Sequence, residues 1–254
     1  MIIIKNKEQI EGVKKASKIA ANTLRYIEPF IQEGVNTERL NQLCHDYMIQ
    51  HDSIPATLNY HGFPKSICTS INNVVCHGIP SEKEILKSGD IVNIDVTAIH
   101  NGFYGDCSKT YIIGEAKPEI IEFVKRTENS LNLAIKALRP GNLLSIVGTT
   151  IQTYVEQFSY SVVREYGGHG VGVHFHEDPH VSHFYTRDND IKLKKGMIFT
   201  IEPMINMSKN WRVVTCKKDG WTVRTQDKSL SAQFEHTVLI THDSYEILTL
   251  PDES

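Results

Sequence analysis

Displaced by 107 residues (141 − 34), this sequence falls on itself. Gly34 lands on Gly141, Leu40 on Val147, Cys44 on Ile151, Tyr47 on Tyr154 and Met48 on Val155. From Leu40 onward those positions are spaced as on one helix face. The same displacement carries Lys87 to Lys194, Gly89 to Gly196, Ile91 to Ile198, Ile94 to Ile201 and Asp95 to Glu202. One offset shared by a helix and a strand, with acid falling on acid, predicts a duplicated helix–helix–hairpin unit. The halves span about 7–113 and 118–250 within a single domain of 1–254. At 254 residues and 40% hydrophobic content, the chain can bury a sizeable core.

Each half reads consistently. Ile10, Val13, Ala16, Ala20, Leu24 and Ile27 predict a helix over 7–28. Asn36 or Thr37 caps a second, with Leu40, Leu43, Cys44, Tyr47 and Met48 on one face. Residues 60–80 are irregular, punctuated by Gly62, Pro64, Gly78 and Pro80. A hairpin follows from about 90 to 113, turning at Asn101-Gly102. Helices are expected over 118–138 and 144–157, then a glycine-rich segment, GGHGVGVHFHEDP, at 167–179. Strands are expected near 197–205, 211–216, 221–225 and 231–241.

The hairpin NIDVTAIHNGFYGDCSKT carries an aspartate on each strand, a residue type strands avoid and interiors exclude when unpaired. With the turn at Asn101-Gly102, residue 97 opposes 106 and 95 opposes 108. Asp95 and Asp106 then share a face diagonally, provided Gly105 does not bulge. Two carboxylates that close repel unless a proton or cation lies between them. Glu202 takes the place of Asp95 in the second half, in the apolar run MIFTIEPMI, and Glu235, in SLSAQFEHTVLI, is its partner. Four buried acids facing across a pseudo-twofold, with one imidazole, suit two divalent cations and a bridging water. Oxygen-rich ligands with one nitrogen favour Mn, Fe, Co or Zn, and two metals about 3.5–4 Å apart form a hydrolytic clamp. His169, bracketed by glycines that allow close backbone approach, is favoured as the imidazole over His174 and His176, which alternate with Phe175 on one strand face.

The net charge of −3 speaks against nucleic acid or a membrane surface as partner. The lysines at 192, 194, 195, 217 and 218 read as solvated loop ends. The five cysteines, Cys44, Cys68, Cys76, Cys107 and Cys216, include no C-x-x-C pair, so neither a disulfide framework nor a zinc knot is expected. With Lys5 and Lys7 cutting short the apolar start, neither a secretory leader nor a membrane span is predicted, and the cytoplasm is the expected location.

Together DVTAIHNGFYGDCSKT, GGHGVGVHFHEDP, FTIEPM, SLSAQFEHT and YHGFPKSICTSINNVVCHGIP resemble the type I methionine aminopeptidases, through nearly the whole chain. The resemblance implies an α+β pita-bread fold: two pseudo-symmetric helix–helix–hairpin halves around a curved antiparallel sheet. It implies removal of the initiator methionine from nascent polypeptides when the next residue is small. Under it Asp95 chelates one metal, Asp106 and Glu235 bridge both, and His169 and Glu202 complete the other. His77 contacts substrate near the scissile amide, His176 hydrogen-bonds the peptide carbonyl, and Glu202 shuttles a proton. Tyr60, Phe63, Cys68, Phe175 and Trp221 line the methionine side-chain pocket. Asn72, Val74 and Ser231 match a monovalent-cation site of some relatives. A monomer is expected, and the ribosome, where the substrate emerges, is an implied partner. Phe63 stands where many relatives have Tyr, Thr57 and Asn59 where bacterial relatives often have Cys and Gly, and His174 where a basic residue is common. An X-Pro peptidase would share the five ligands, and a non-enzymatic binding module would keep the fold without them.

Overall fold

The computed structural model describes residues 1–252. Four long helices cover one side of the sheets: α1 (Lys7–Ile27), α2 (Thr37–Gln50), α3 (Pro118–Lys136) and α4 (Ile146–Glu156). Their ends are set by local chemistry. Asn6 closes a capping box with Gln9 at the start of α1. Asn36, the first of the two expected caps, accepts the Arg39 amide of α2 at 2.8 Å. Pro118 opens α3, where a missing amide hydrogen costs nothing. Among the described residues no helix is long and apolar enough to cross a membrane.

Beneath α1 and α2 lies the long hairpin of Ile91–His100 and Phe103–Ile112. Asn101 and Gly102 sit at φ 50° and 81°, the left-handed pair that a two-residue turn of this hand needs. The ladder runs from Ile91–Ile112 to His100–Phe103 without a shift, so Thr97 faces Asp106 and Asp95 faces Ser108. Gly105 therefore makes no bulge. Its missing side chain serves packing instead, because a Cβ there would lie 2.1 Å from the Ser17 amide of α1. Strands Ile54–Pro55 and Cys68–Ile71 complete this antiparallel sheet. A second sheet takes its strands in the order Tyr245–Ile247, His236–Ile240, Ile198–Ile201, Gly168–Gly170 and Glu177–Val181.

The two halves repeat each other in detail. The Gly34 amide donates to Leu86 O at 2.9 Å, and the Gly141 amide donates to Leu193 O at 2.9 Å. The isolated bridge Asn36–Ile85 recurs as Leu143–Lys192. Gly34 and Gly141 have φ of 85° and 89°, and Gly89 and Gly196 have 89° and 88°. These are left-handed positions that a side chain would strain. One apolar layer packs Leu24, Leu40, Cys44 and Met48 on Ile94 and Val96. Another packs Phe123, Leu131, Val147 and Ile151 on Phe199, Ile201 and Val238.

Two expected strands are each cut in two. The one over 197–205 breaks at Glu202-Pro203, and the one over 231–241 breaks at Phe234-Glu235. In each case the part before and the part after the break belong to different sheets. Pro203 has no amide hydrogen to continue a ladder. The consequence is functional, since the breaks place Glu202 and Glu235 at the corner between sheets rather than inside one. The segment 171–176 also differs from expectation: it is a run of bends, not a strand. Glu177 Oε1 accepts the amides of Val173 and His174 at 2.7 and 2.9 Å, which curls the backbone, so His174 and His176 do not share a strand face. His174 lies exposed.

Candidate metal centre

The sheets meet where the Glu235 amide donates to Ser108 O at 3.0 Å and the Thr237 hydroxyl donates to Asp106 O at 2.7 Å. That seam forms the floor of a cleft of about 600 Å³. Asp95, Asp106, His169, Glu202 and Glu235 all line it. One ligand atom each from Asp106, His169 and Glu235 lies within 4.8 Å of the others. His169 Nε2 stands 3.7 Å from Asp106 Oδ2 and 3.6 Å from Glu202 Oε1. Among the described residues no lysine or arginine lines the cleft. Four carboxylates with one imidazole, and no lysine or arginine among them, form a donor set that lacks its positive charge. Divalent cations fit it.

Hydrogen bonds aim the side chains of Asp106, Glu202 and His169. Thr97 Oγ1 donates to Asp106 Oδ1 at 2.7 Å, directly across the ladder. Thr200 Oγ1 donates to Glu202 Oε1 at 2.7 Å, and Gln233 Nε2 to Glu202 Oε2 at 3.2 Å. His169 Nδ1 is 2.9 Å from Gly170 O, a carbonyl that only accepts, so Nδ1 carries the proton and Nε2 presents its lone pair to the cleft. Gly168 is needed beside it, since a Cβ there would lie 2.3 Å from Thr200 O. The Glu202 amide donates to His183 Nε2 at 3.0 Å, which fixes the backbone at the strand break.

Sequence reasoning assigned no role to Thr97, Thr200, Gln233 or His183. Thr97 alone carried a usable signal, as the residue facing Asp106 in the predicted register. The others depend on contacts between elements far apart in the chain.

Burial sets the electrostatics. It raises the carboxyl of Asp95 to about 7. Burial first, then the neighbouring acids, hold Asp106 and Glu235 well above the carboxylate range, and burial does the same to Glu202. His169 falls to about 4, for burial again. The metal-free protein is thus folded around acids that prefer to be protonated, while the unfolded chain releases those protons near pH 4. Between about pH 7.5 and 8.5, a full unit or more above the ordinary histidine value, the imidazoles of the unfolded chain hold few protons while the buried acids of the folded state keep theirs, so stability falls as pH rises. The slope is about 1.4 kcal/mol per pH unit for each proton kept. Thermal melts in chelator are expected to drop steadily across that window, and melts with excess divalent cation to stay level. A chelated protein with a flat profile contradicts this electrostatic picture.

The residues expected to bind substrate also converge. Tyr60, Phe63, Cys68, His77, Phe175, His176 and Trp221 all line the same cleft. Phe63 and Trp221 meet edge to face with centroids 5.3 Å apart, and Trp221 meets His77 the same way at 6.1 Å. Phe175 stacks on His176 at 4.2 Å, and the His176 ring lies 4.2 Å from that of His169. Trp221 arrives from a long excursion whose strand Val223–Thr225 pairs with Val74–Cys76 of the first half. Asn72 O accepts the Ser231 amide at 2.8 Å. The Asn72 side chain is engaged by Asp90 and the Ile91 amide, and the Ser231 hydroxyl by Ile205 O.

An acid-rich cleft with histidine but no lysine or arginine in its described lining, at the seam of two pseudo-symmetric halves, is the signature of a metal-dependent hydrolase of this architecture, and comparison with known proteins places it. Residues 11–242 match the metallopeptidase family M24, and the chain belongs to that family. It is 50% identical to the methionine aminopeptidase of Escherichia coli strain K12 over 252 residues, 98% of this chain and 94% of that one. It is 51% identical to the methionine aminopeptidase of Buchnera aphidicola subsp. Acyrthosiphon pisum over 248 residues, 97% and 93% of the two chains. The crystal structure of methionine aminopeptidase from Rickettsia prowazekii superposes with a TM-score of 0.95 at 48% identity, covering 98% of this chain and all of the other. The prolidase of Pyrococcus furiosus, at 24% identity and a TM-score of 0.77, shares the fold. The fold is therefore α+β, of the pita-bread type.

Proposed function

We propose that the protein is a methionine aminopeptidase, removing the initiator methionine from nascent chains when the next residue is small, with two divalent cations held by Asp95, Asp106, His169, Glu202 and Glu235. The single observation that carries this reading is the convergence of those five side chains at the floor of a cleft whose walls are aromatic and sulfur-bearing. Cations bound there supply Lewis acidity and a water acidic enough to lose its proton near neutral pH.

The remaining work falls to the protein's own groups. Phe63, Cys68, Phe175 and Trp221 offer an apolar, polarisable surface suited to an unbranched thioether. His77, partly exposed between Tyr166 and Trp221, faces the substrate backbone. Burial drives His176 down to about 3, so it works as a neutral imidazole. Tyr60 OH lies 2.8 Å from its Nδ1. With the phenol donating to Nδ1, the His176 proton sits on Nε2 and is free to donate to the scissile carbonyl as negative charge grows there. Glu202 takes a proton from the attacking water and returns it to the leaving amine. A requirement for a free α-amino group restricts cleavage to the terminus.

Four acids and one histidine in this arrangement also serve X-Pro peptidases, so substrate choice decides between the two. On a panel containing Met-Ala-Ser and Ala-Pro-Ala peptides, read by mass spectrometry, the metal-reconstituted protein is expected to release methionine from the first and leave the second uncut. Cleavage of Ala-Pro-Ala alone would reverse the assignment. The exposed lysines at 192, 194 and 195 are the proposed ribosome contact. Charge reversal there should abolish cosedimentation, and unchanged cosedimentation removes that assignment.

A further inference from the structure

Lys5 and Glu177 form an ion pair between side chains only 1% and 2% exposed, with Nζ 2.5 Å from Oε2. Other ion pairs among the described residues that join a lysine or arginine to an acid have side chains at least 24% exposed. A buried pair needs both partners and additional hydrogen bonds to be tolerated. Glu177 has them: its other oxygen takes the amides of Val173 and His174. The bends over 171–176 thus hang from one carboxylate, and their last two residues present Phe175 and His176 to the cleft.

Lys5 is itself anchored. Its amide donates to Gly196 O at 2.9 Å, and the next residue is the Asn6 cap of α1. The turn rests directly on it. Gly172 has φ +135°, and a Cβ there would lie 2.7 Å from Val13 Cγ2 and 3.3 Å from Lys5 Cε.

We infer that Lys5 is a positioning residue for the proposed aminopeptidase reaction: through Glu177 it fixes the loop that carries His176. The inference rests on the reading of the preceding subsection. Lys5→Met leaves a buried carboxylate without its cation, and the loop must shift to rehydrate it. Lys5→Met combined with Glu177→Gln removes the charge and retains the amide-accepting oxygen, so the loop should resettle.

His176 acts on charge that develops during reaction, so its displacement lowers kcat more than it raises KM. Lys5→Met is expected to lower kcat about ten- to a hundredfold, the scale of small misplacements. Metal affinity, measured by calorimetric titration of the metal-free protein, should change by less than about twofold because the proposed ligands lie outside that loop, and KM, which Phe175 of the same loop can move, should rise by less than kcat falls. The double variant should regain kcat to within about threefold of the parent. The ¹⁵N shifts of the His176 ring give a readout without turnover. The parent should show one tautomer, Lys5→Met a mixture, and the double variant one tautomer again. Unchanged kcat and ring shifts in Lys5→Met overturn the inference. So does a fall of kcat matched by an equal rise of KM and a loss of metal affinity that the double variant fails to reverse. A parent that leaves methionyl peptides uncut defeats the aminopeptidase reading instead, and the ring shifts then still decide the clamp.

Discussion

His169→Ala and Glu202→Gln are each expected to lower kcat/KM on a Met-Ala peptide by about a thousandfold or more, with the far-UV circular dichroism unchanged. The two substitutions fail for different reasons. His169 supplies the one nitrogen of the proposed donor set, and Gly170 O holds its Nε2 toward the acids. Alanine leaves the glycine-lined backbone intact but removes that donor. Glutamine at 202 keeps the size of glutamate and one oxygen to accept from Thr200, yet its amide nitrogen cannot accept from Gln233, and the side chain can neither carry negative charge nor shuttle a proton. Neither side chain holds the apolar layers together, and the Gln variant relieves repulsion among the acids. The chelated Glu202→Gln protein should therefore melt no lower than the chelated parent. A variant that unfolds, or one that keeps a tenth of the parent activity, contradicts the assigned roles.

Dialysis against EDTA is expected to bring hydrolysis of methionyl peptides to background, and adding back a divalent cation to restore it. The same addition should raise the melting temperature most at about pH 8, where the metal-free acids are most strained. The two effects share one cause: the carboxylates that burial opposes are the ones a cation would hold. Full activity after exhaustive chelation would refute a metal-dependent mechanism.

Much of this centre was legible in the chain because it depends on short-range rules. The turn at Asn101-Gly102 admits few geometries, so the Thr97–Asp106 register followed from counting. The offset of 107 (202 − 95) then located Glu202 from Asp95. What stayed hidden depends on packing between distant segments. Lys5 and Glu177 are 172 residues apart, and nothing local marks either. The breaks at Glu202 and Glu235 were invisible because MIFTIEPMI and SLSAQFEHTVLI each read as one apolar strand. Pro203 was the single clue that a ladder could not pass. The segment around His176 alternates as a strand does, but Glu177 captures two of its amides and bends it, a competition that alternation cannot register. Trp221 lies in an excursion whose route back to Val74–Cys76 carries no pattern of its own.

The central claim is that five side chains from both halves hold a pair of cations at the seam. Anomalous diffraction from crystals grown with manganese tests it most directly. The account predicts two peaks, both touching Asp106 and Glu235, with Asp95 on one and His169 and Glu202 on the other. A single peak, or any of the four acids turned away from the metal toward bulk solvent, would contradict it.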